Sequence, residues 1–423
     1  MLWTLSSYYN FTVFSDKIKD MRKIIFTLAA TFFVLTFASC MPAKEAEKQT
    51  APQVETTPAV PFSNITVLEL TKDMGAGWNL GNTFDAFGTA NMNSETSWGQ
   101  PVTTKAMIDG LAASGIQTIR IPVSWHNHIT DTTNYTISAQ WMARVKTVVD
   151  WAIEDGLYVI INSHHDNYLA AGKMPAGGGY YPTSQNLEES KKFLKSVWTQ
   201  IAATFNNEYD EHLIFETMNE PRPAATRCEW WFDNDELCKD AMKCVMELNQ
   251  TALDAIRATG GNNKKRFVMC PSLQASQNAA TSSLFKMPVD LEEGRLILSI
   301  HAYTPYSFAM EAPGERKFTK AHKEELNSLF SILKNRFIAK GYGVVIGEYG
   351  ATNKDNLEER VAWFDYYVST ATEAGIPCIL WDNGVWELHK DENGEFDYNE
   401  GYGYYNRLAQ NWYFPEILDV IVK

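Results

Sequence analysis

Beyond Thr66 the chain repeats one pattern eight times: a short apolar run, then a longer stretch whose apolar residues recur at helical spacing. The runs are GAGWNL from Gly75, QTIRIPVSW from Gln117, LYVIINSHHD from Leu157, HLIFETMNEP from His212, RFVMCPSL from Arg266, RLILSIHAY from Arg295, GVVIGEYG from Gly343 and PCILWDNG from Pro377. Between them lie stretches such as SAQWMARVKTVVDWAIEDG and NLEERVAWFDYYVSTATEAG, which open on Ser or Asn and close on Gly as helices do. A strand buried on both faces reads as a continuous apolar run, and its parallel neighbour is reached through a crossover helix. Eight such units predict an α/β chain folded as a single (β/α)8 barrel. An open doubly wound sheet is the alternative, but no Gly-x-Gly-x-x-Gly follows the first run.

Nearly every run ends in polar or aromatic residues instead of a simple turn: Asn82, Arg120 to Trp125, His164 to Asp166, Asn219-Glu220, His301 to Tyr303, Glu348 and Trp381 to Asn383. In a barrel these strand ends share one rim, the C-terminal face on which such folds build their sites. Aromatic residues make up 13% of the chain. Flat amphipathic rings suit the faces of sugars, although an aromatic-rich core has the same composition.

Lys and Arg number 37 against 51 Asp and Glu, a net charge of −14 that repels nucleic-acid phosphates and argues against a DNA or RNA partner. The N-terminal region adds a compartment. Met21 to Cys40 reads MRKIIFTLAATFFVLTFASC, with a basic start at Arg22 and Lys23, an apolar run and small residues before the cysteine. This is the build of an export signal starting at Met21, its run of about 14 apolar residues being shorter than the roughly 20 of a spanning helix. Ala38-Ser39-Cys40 resembles the bacterial lipobox, which implies lipidation of Cys40 and a membrane anchor; plain secretion with cleavage nearby is the alternative. Residues 41–63 carry almost no large apolar side chains and are expected to form a flexible linker. The expected organisation is a signal segment over 1–40, a linker over 41–63 and a catalytic barrel over 64–423, exported to the cell envelope or secreted.

Five cysteines follow Cys40, an odd number, so at least one is free or intermolecular. Cys228, Cys238 and Cys244 could supply one local bridge, while Cys270 and Cys378 sit in apolar runs as expected of buried thiols. Their spacings fit no zinc pattern, and neither a structural metal nor a cofactor is inferred.

Two carboxylates, Glu220 in ETMNEP and Glu348 in VIGEYG, close the fourth and seventh runs and should face each other across the barrel mouth. Cleavage of a glycosidic bond needs such a pair. One carboxyl protonates the leaving oxygen and needs a raised pKa, while the other stays ionised. The segments GWNLGNTFDA, TIRIPVSW, VIINSHHD, FETMNEP, HAYTPYSF, GEYG and LWDNG, in this order, resemble glycoside hydrolase family five, the cellulase family of retaining clan A barrels, and within it the bacterial endoglucanases. The resemblance runs from about Leu68 to the C-terminus.

By position, the resemblance implies that Glu220 is the acid/base and Glu348 the nucleophile, with Arg120 holding Glu348 ionised and its pKa low. It implies that Asn219 binds the sugar 2-hydroxyl, that His164 belongs to a subsite, that His301 and Tyr303 lie near the two carboxylates and that Trp381 is a platform beneath the reacting sugar. Asn79, His128, His165, Trp231 and Asn383 are further candidate sugar contacts, Trp231 being equally open to local packing. The implied activity is retaining endo-β-1,4-glucanase, with carboxyls ~5 to 5.5 Å apart. Xyloglucanase, mannanase or xylanase activity on the same barrel is the alternative, and a non-catalytic surface glycan-binding protein is the alternative of another class. Taken alone, His164-His165-Asp166 suggests a metal site, which the missing third-ligand pattern and the sufficiency of two carboxylates argue against.

Overall fold

The computed structural model describes residues 59–167, 177–390, 392–393, 396–397 and 400–423. The signal segment, Cys40 and the linker up to residue 58 lie outside the described residues, as does the middle of the loop after the third strand. Eight strands close into a parallel barrel: β1 Ala76–Asn79, β2 Thr118–Ile121, β3 Tyr158–Asn162, β4 Leu213–Glu216, β5 Val268–Pro271, β6 Leu296–His301, β7 Gly343–Tyr349 and β8 Cys378–Leu380. Each falls within one of the eight apolar runs, and β8 returns to pair with β1.

The strands sort their side chains with a period of two. Ile160, Ile214, Ile297 and Val345 point into the barrel, where they meet Phe267, Met269 and Ile379. Below them the helix Val67–Asp73 closes the barrel with Val67 and Leu70. That helix begins at Thr66, whose hydroxyl accepts from the Glu69 amide while the Glu69 carboxylate accepts from the Thr66 amide. Two residues further along each strand the same inward face carries Asn162, Glu216, Ser299 and Gly347. The interior therefore changes from apolar to polar toward the C-terminal rim.

The alternate positions, among them Val159, Ile161, Leu213, Phe215, Leu298, Ile300, Val344 and Ile346, face outward into the layer shared with the helices. Burial of each such side chain contributes about 1.5–3 kcal/mol. Long helices follow most strands, such as Glu236–Ala258 after β4, which buries Met242, Val245, Leu248, Leu253 and Ile256. The connection from β5 to β6 is the exception, with only the single turn Gln277–Ala280 of α-helix. Ser138 caps its helix as expected. Asn356 does not, because its Oδ1 accepts from the Lys354 amide instead.

The barrel unit begins earlier than the sequence suggests. Within the expected linker, the Val60 amide donates to the Asn207 carbonyl at 2.7 Å. Phe62 packs on Phe267 beneath the guanidiniums of Arg266 and Arg295. Cys228 and Cys238 form a disulfide, and Cys244, Cys270 and Cys378 are buried free thiols. Among the described residues no helix is long and apolar enough to cross a membrane.

Candidate active site

Strand register brings the polar residues of the rim together. Asn79 pairs with Arg120, Asn162 with Glu216, and His301 with Glu348, where a bulge in the β6–β7 ladder shifts the register. At the centre lies Arg120, fully buried. Its Nε donates to Glu216 Oε2 at 2.7 Å and its Nη2 to Asn219 Oδ1 at 2.6 Å. Its Nη1 donates to both Asn79 Oδ1 at 2.8 Å and Glu348 Oε1 at 2.9 Å. Burial opposes the charge, but Glu216 and Glu348 more than offset it, and the guanidinium is held above its ordinary pKa.

Glu216 is the residue that sequence reasoning missed. Its carboxylate is fully buried and also accepts from Asn162 Nδ2 at 2.9 Å and Ser299 Oγ at 2.5 Å. It stands in the same ETMNEP segment as Glu220, and its signal was a carboxylate inside a run where both faces are buried. There a charge persists only with a partner.

Four residues beyond it, Glu220 enters the cleft opposite Glu348. His301 stands between them, its Nδ1 2.8 Å from Glu220 Oε1 and 3.5 Å from Glu348 Oε2. Tyr303 donates from its hydroxyl to Glu348 Oε2 at 3.1 Å. An oxygen of each carboxylate and a nitrogen of His301 all lie within 4.8 Å of one another, a spacing near that of retaining pairs and too short for the intervening water of inverting ones. Gly347 makes room for this ring: a side chain there would stand 3.1 Å from His301 Nε2.

The ionisation balance differs from the expected one. Burial pushes the Glu348 carboxyl above its ordinary value, and the charge of Glu220 adds to this, although His301 and Arg120 pull it down. Burial acts upward on Glu220 too, but there the hydrogen bond and charge of His301, with the charge of Arg222, prevail and lower it. Sequence reasoning had the raised pKa on Glu220 and the lowered one on Glu348. The reason for the reversal is His301, whose own pKa is raised despite burial by Glu348 and by its bond to Glu220. The lowered Glu220 and the raised His301 both draw on their 2.8 Å contact.

His164 is buried, with Nδ1 3.1 Å from Asn162 Nδ2, and its ring lies parallel to Trp381 at 5.9 Å between centroids. Burial pushes the pKa of this imidazole well below its ordinary value, and the neighbouring His165 and Arg120 add to that. Trp381 lies against Gly81, where a side chain would approach the indole to 3.0 Å. The Asn219 Oδ1 is occupied by Arg120, so what it has to offer a sugar hydroxyl is its NH2 group. His165 is half-buried in an aromatic cluster with Phe87 and Trp98, at 5.4 and 5.5 Å. Those two partners were not singled out from sequence, where they are two among many aromatics.

Three of the expected sugar contacts are buried and already engaged within the protein. Asn79 is fully buried, donating to the Gly347 carbonyl at 2.9 Å and accepting from Arg120, so it braces the arginine. Asn383 ties the loop after β8 together, donating to the Glu400 carbonyl and accepting from the Val385 amide. His128 is stacked on Trp141 at 3.6 Å, 9° from parallel, and burial lowers its pKa to about 4. It is a packing element of the helical layer. Trp231 is 70% exposed, which removes the local-packing reading of its side chain.

Two clusters of possible metal-ligating atoms adjoin the cleft: Glu220 with His301 and Glu348, and Asp85 with His164 and His165. The atoms of the first are engaged by Arg120, Tyr303 and one another. Asp85 accepts from the amides of Thr83 and Asn82 at 2.7 and 3.0 Å, and burial raises its pKa to about 6.

Comparison with known proteins gives a consistent picture. The model of the family "Cellulase (glycosyl hydrolase family 5)" matches residues 81–386. Endoglucanase A of Clostridium longisporum is 41% identical over 364 residues, covering 84% of this chain and 65% of that protein. Endoglucanase A of Ruminococcus albus is 37% identical, covering 90% of this chain and 98% of that protein. Among solved structures, a glycoside hydrolase family 5 lichenase from Caldicellulosiruptor sp. F32, a mutant in complex with cellotetraose, is 40% identical with a TM-score of 0.78 and covers 88% of this chain and 98% of that one. A broad-specificity endoglucanase from Ruminococcus champanellensis with bound cellotriose is 37% identical with a TM-score of 0.77, covering 86% of this chain and 100% of that one.

Proposed function

The chain belongs to the cellulase family, glycosyl hydrolase family 5, and on that premise we propose how its cleft works. It is a glycoside hydrolase of the endoglucanase type, acting on internal β-1,4 bonds of β-glucan with retention. The observation that carries the mechanism is the close approach of Glu220 and Glu348 with His301 between them.

Glu348, steadied by Arg120 and Tyr303, attacks the anomeric carbon, and the bond to the leaving oxygen breaks. The leaving oxygen takes its proton from Glu220, to which His301 has first passed it through the 2.8 Å contact, so that Glu220 is left ionised. The glycosyl–Glu348 ester is then opened by a water whose proton passes to Glu220, which frees the sugar and restores Glu348. Asn219, with its oxygen held by Arg120, donates to the 2-hydroxyl. Trp381 and His164 supply flat surfaces for the sugar on the glycone side.

The test is reducing-sugar release on carboxymethyl-cellulose, mixed-linkage β-glucan, xyloglucan, xylan and mannan, with Glu348→Gln as blank. Activity on the first two, lost in the variant, is the expected result. The broad specificity named for a relative favours activity on more than one of the five. Dominant xylan or mannan cleavage would move the substrate, and silence on all five would leave a glycan-binding protein.

The basic start, apolar run and small residues before Cys40 support export, and the lipobox-like end supports a lipid anchor. In this reading a lipid on Cys40 anchors the protein to a membrane of the cell envelope. Metabolic labelling with a fatty-acid analogue, lost in Cys40→Ser, tests the anchor.

A further inference from the structure

Tyr303, which donates to Glu348, stands where β6 gives way to a loop that is held by a side chain from outside it. That side chain is Lys354, on the loop that follows β7 and fully buried. Its Nζ directs its three N–H donors at main-chain carbonyls, those of Ser307 at 3.1 Å, Phe308 at 2.7 Å and Glu315 at 3.2 Å. Burial pushes its pKa down to about 8 while Glu311 and Glu315 oppose, so near neutral pH it is still a cation. A buried ammonium is costly unless the groups it bonds are fixed around it, and a methionine would fill the same space without that cost.

What the bonds fix is the turn Tyr306–Ala309, whose last carbonyls find no partner within so short a helix. Lys354 takes those of Ser307 and Phe308. The next carbonyl, of Ala309, accepts from the Thr352 amide at 2.9 Å and from the Tyr402 hydroxyl at 3.2 Å. Tyr402 in turn stands edge-on to Tyr303, with 5.6 Å between ring centroids. A continuous set of contacts thus runs from Lys354 through the turn and Tyr402 to the Tyr303 ring, whose hydroxyl lies 3.1 Å from Glu348 Oε2. The far end of the loop has a separate fastening, the Glu315 carboxylate lying 3.0 Å from His322 Nε2. Glu348 and Lys354 belong to the same strand and loop, so the lysine sets the Tyr303 loop in place relative to the carboxylate it serves.

We propose that Lys354 is a positioning residue for the reaction: by clamping the Tyr306–Ala309 turn it holds Tyr402 against Tyr303 and keeps the Tyr303 hydroxyl on Glu348. This rests on the glucanase reading above and adds to it a residue that touches neither the sugar nor the reacting carboxylates. A hydrogen bond to the ionised form lowers the pKa of an acid, so a slack clamp should raise Glu348 just as removal of the Tyr303 hydroxyl does.

The experiment is a double-mutant cycle of Lys354→Met and Tyr303→Phe on mixed-linkage β-glucan, read as kcat, KM and the acid limb of kcat/KM. Each single variant should lower kcat by about tenfold, with KM changed by less than about threefold, and move the acid limb to higher pH. In the Lys354→Met background, Tyr303→Phe should lower kcat by less than about twofold more and leave the limb where it is. Tyr402→Phe removes only the hydroxyl that meets Ala309, and it should show the same non-additivity with Tyr303→Phe; it carries the test if Lys354→Met does not fold. Effects that multiply in full would overturn the proposal and leave Lys354 a purely structural clamp. Full activity in Tyr303→Phe would also overturn it, since the clamp would then have nothing to position. Wild type leaving the glucan intact would overturn the glucanase reading and the proposal with it, and that arm is read before any variant.

Discussion

A single imidazole, that of His301, reaches both candidate catalytic carboxylates, with Nδ1 2.8 Å from Glu220 Oε1 and 3.5 Å from Glu348 Oε2. This makes the protonation of the cleft a property of three groups and not of two. In the proposed mechanism activity requires Glu348 ionised and one proton on the His301–Glu220 pair. Glu348 is raised by burial, so the acid limb of kcat/KM should lie above the ordinary glutamate value. His301 is raised above 6.5 by its carboxylate neighbours against the effect of burial, so the basic limb should lie above that value. In His301→Gln the proton falls to a carboxyl instead of an imidazole. The basic limb should then move to lower pH and kcat at pH 7 should drop by about 10- to 100-fold. A basic limb that stays in place would show that another group holds the proton.

Arg120 joins stability to catalysis. It compensates two buried carboxylates, Glu216 at 2.7 Å and Glu348 at 2.9 Å. Removing it in Arg120→Met leaves both without their cation, and the variant should lose about 3–5 kcal/mol in denaturant unfolding. Arg120→Lys keeps the charge but cannot hold Glu216, Asn79, Glu348 and Asn219 together. It should recover part of the stability while kcat stays depressed, and equal recovery of both would mean that charge alone matters at this position.

The division of labour between the carboxylates is open to a leaving-group test. Glu220→Ala removes the proton donor, so hydrolysis of glucan should fall by about 10²- to 10⁴-fold, whereas aryl cellobiosides with acidic phenols should lose far less in the bond-breaking step. Pre-steady-state release of the phenol reads that step directly. Uniform losses across all leaving groups would remove Glu220 as acid. Glu348→Gln should lose turnover on every substrate while unfolding at a similar temperature, and substantial residual activity would remove it as nucleophile.

The architecture and the carboxylate pair were legible because both are written in local pattern. Each apolar run fixed a strand, and a polar residue ending the run fixed a place on the rim. What the pattern did not carry is which way such a residue turns once its neighbours are in place. Asn79 and Asn383 end their runs as the candidate catalytic residues do, but Asn79 meets the Arg120 side chain across the β1–β2 register and Asn383 meets the carbonyl of Glu400. His128 lies in a polar-looking segment, yet Trp141 from the following helix covers its ring. Glu216 was hidden for the opposite reason, since an acid inside an apolar strand shows its use only when Arg120, Asn162 and Ser299 converge on it. The order of the two pKa shifts likewise depends on His301 and Arg222, which stand 81 residues after and 2 residues after Glu220. The cysteines left their pairing open because Cys228, Cys238 and Cys244 are all close in sequence, and only the loop's path selects the first two.

Glu216 offers a way to shift the whole pH profile without touching substrate. It sits behind Arg120, and its Oε1 is 4.0 Å from His301 Nε2. Glu216→Gln preserves the shape of the side chain but removes one negative charge from the floor of the cleft. A nearby negative charge raises the pKa of acids and bases alike, so its loss should lower both Glu348 and His301. Both limbs of the kcat/KM profile should therefore move toward lower pH, the plateau keeping its width. The same substitution breaks a buried ion pair and should cost about 3 kcal/mol or more of unfolding free energy. A variant destabilised in this way, with both limbs unmoved, would limit Glu216 to a structural anchor for Arg120. Movement of the basic limb alone would place its influence on His301 and not on Glu348.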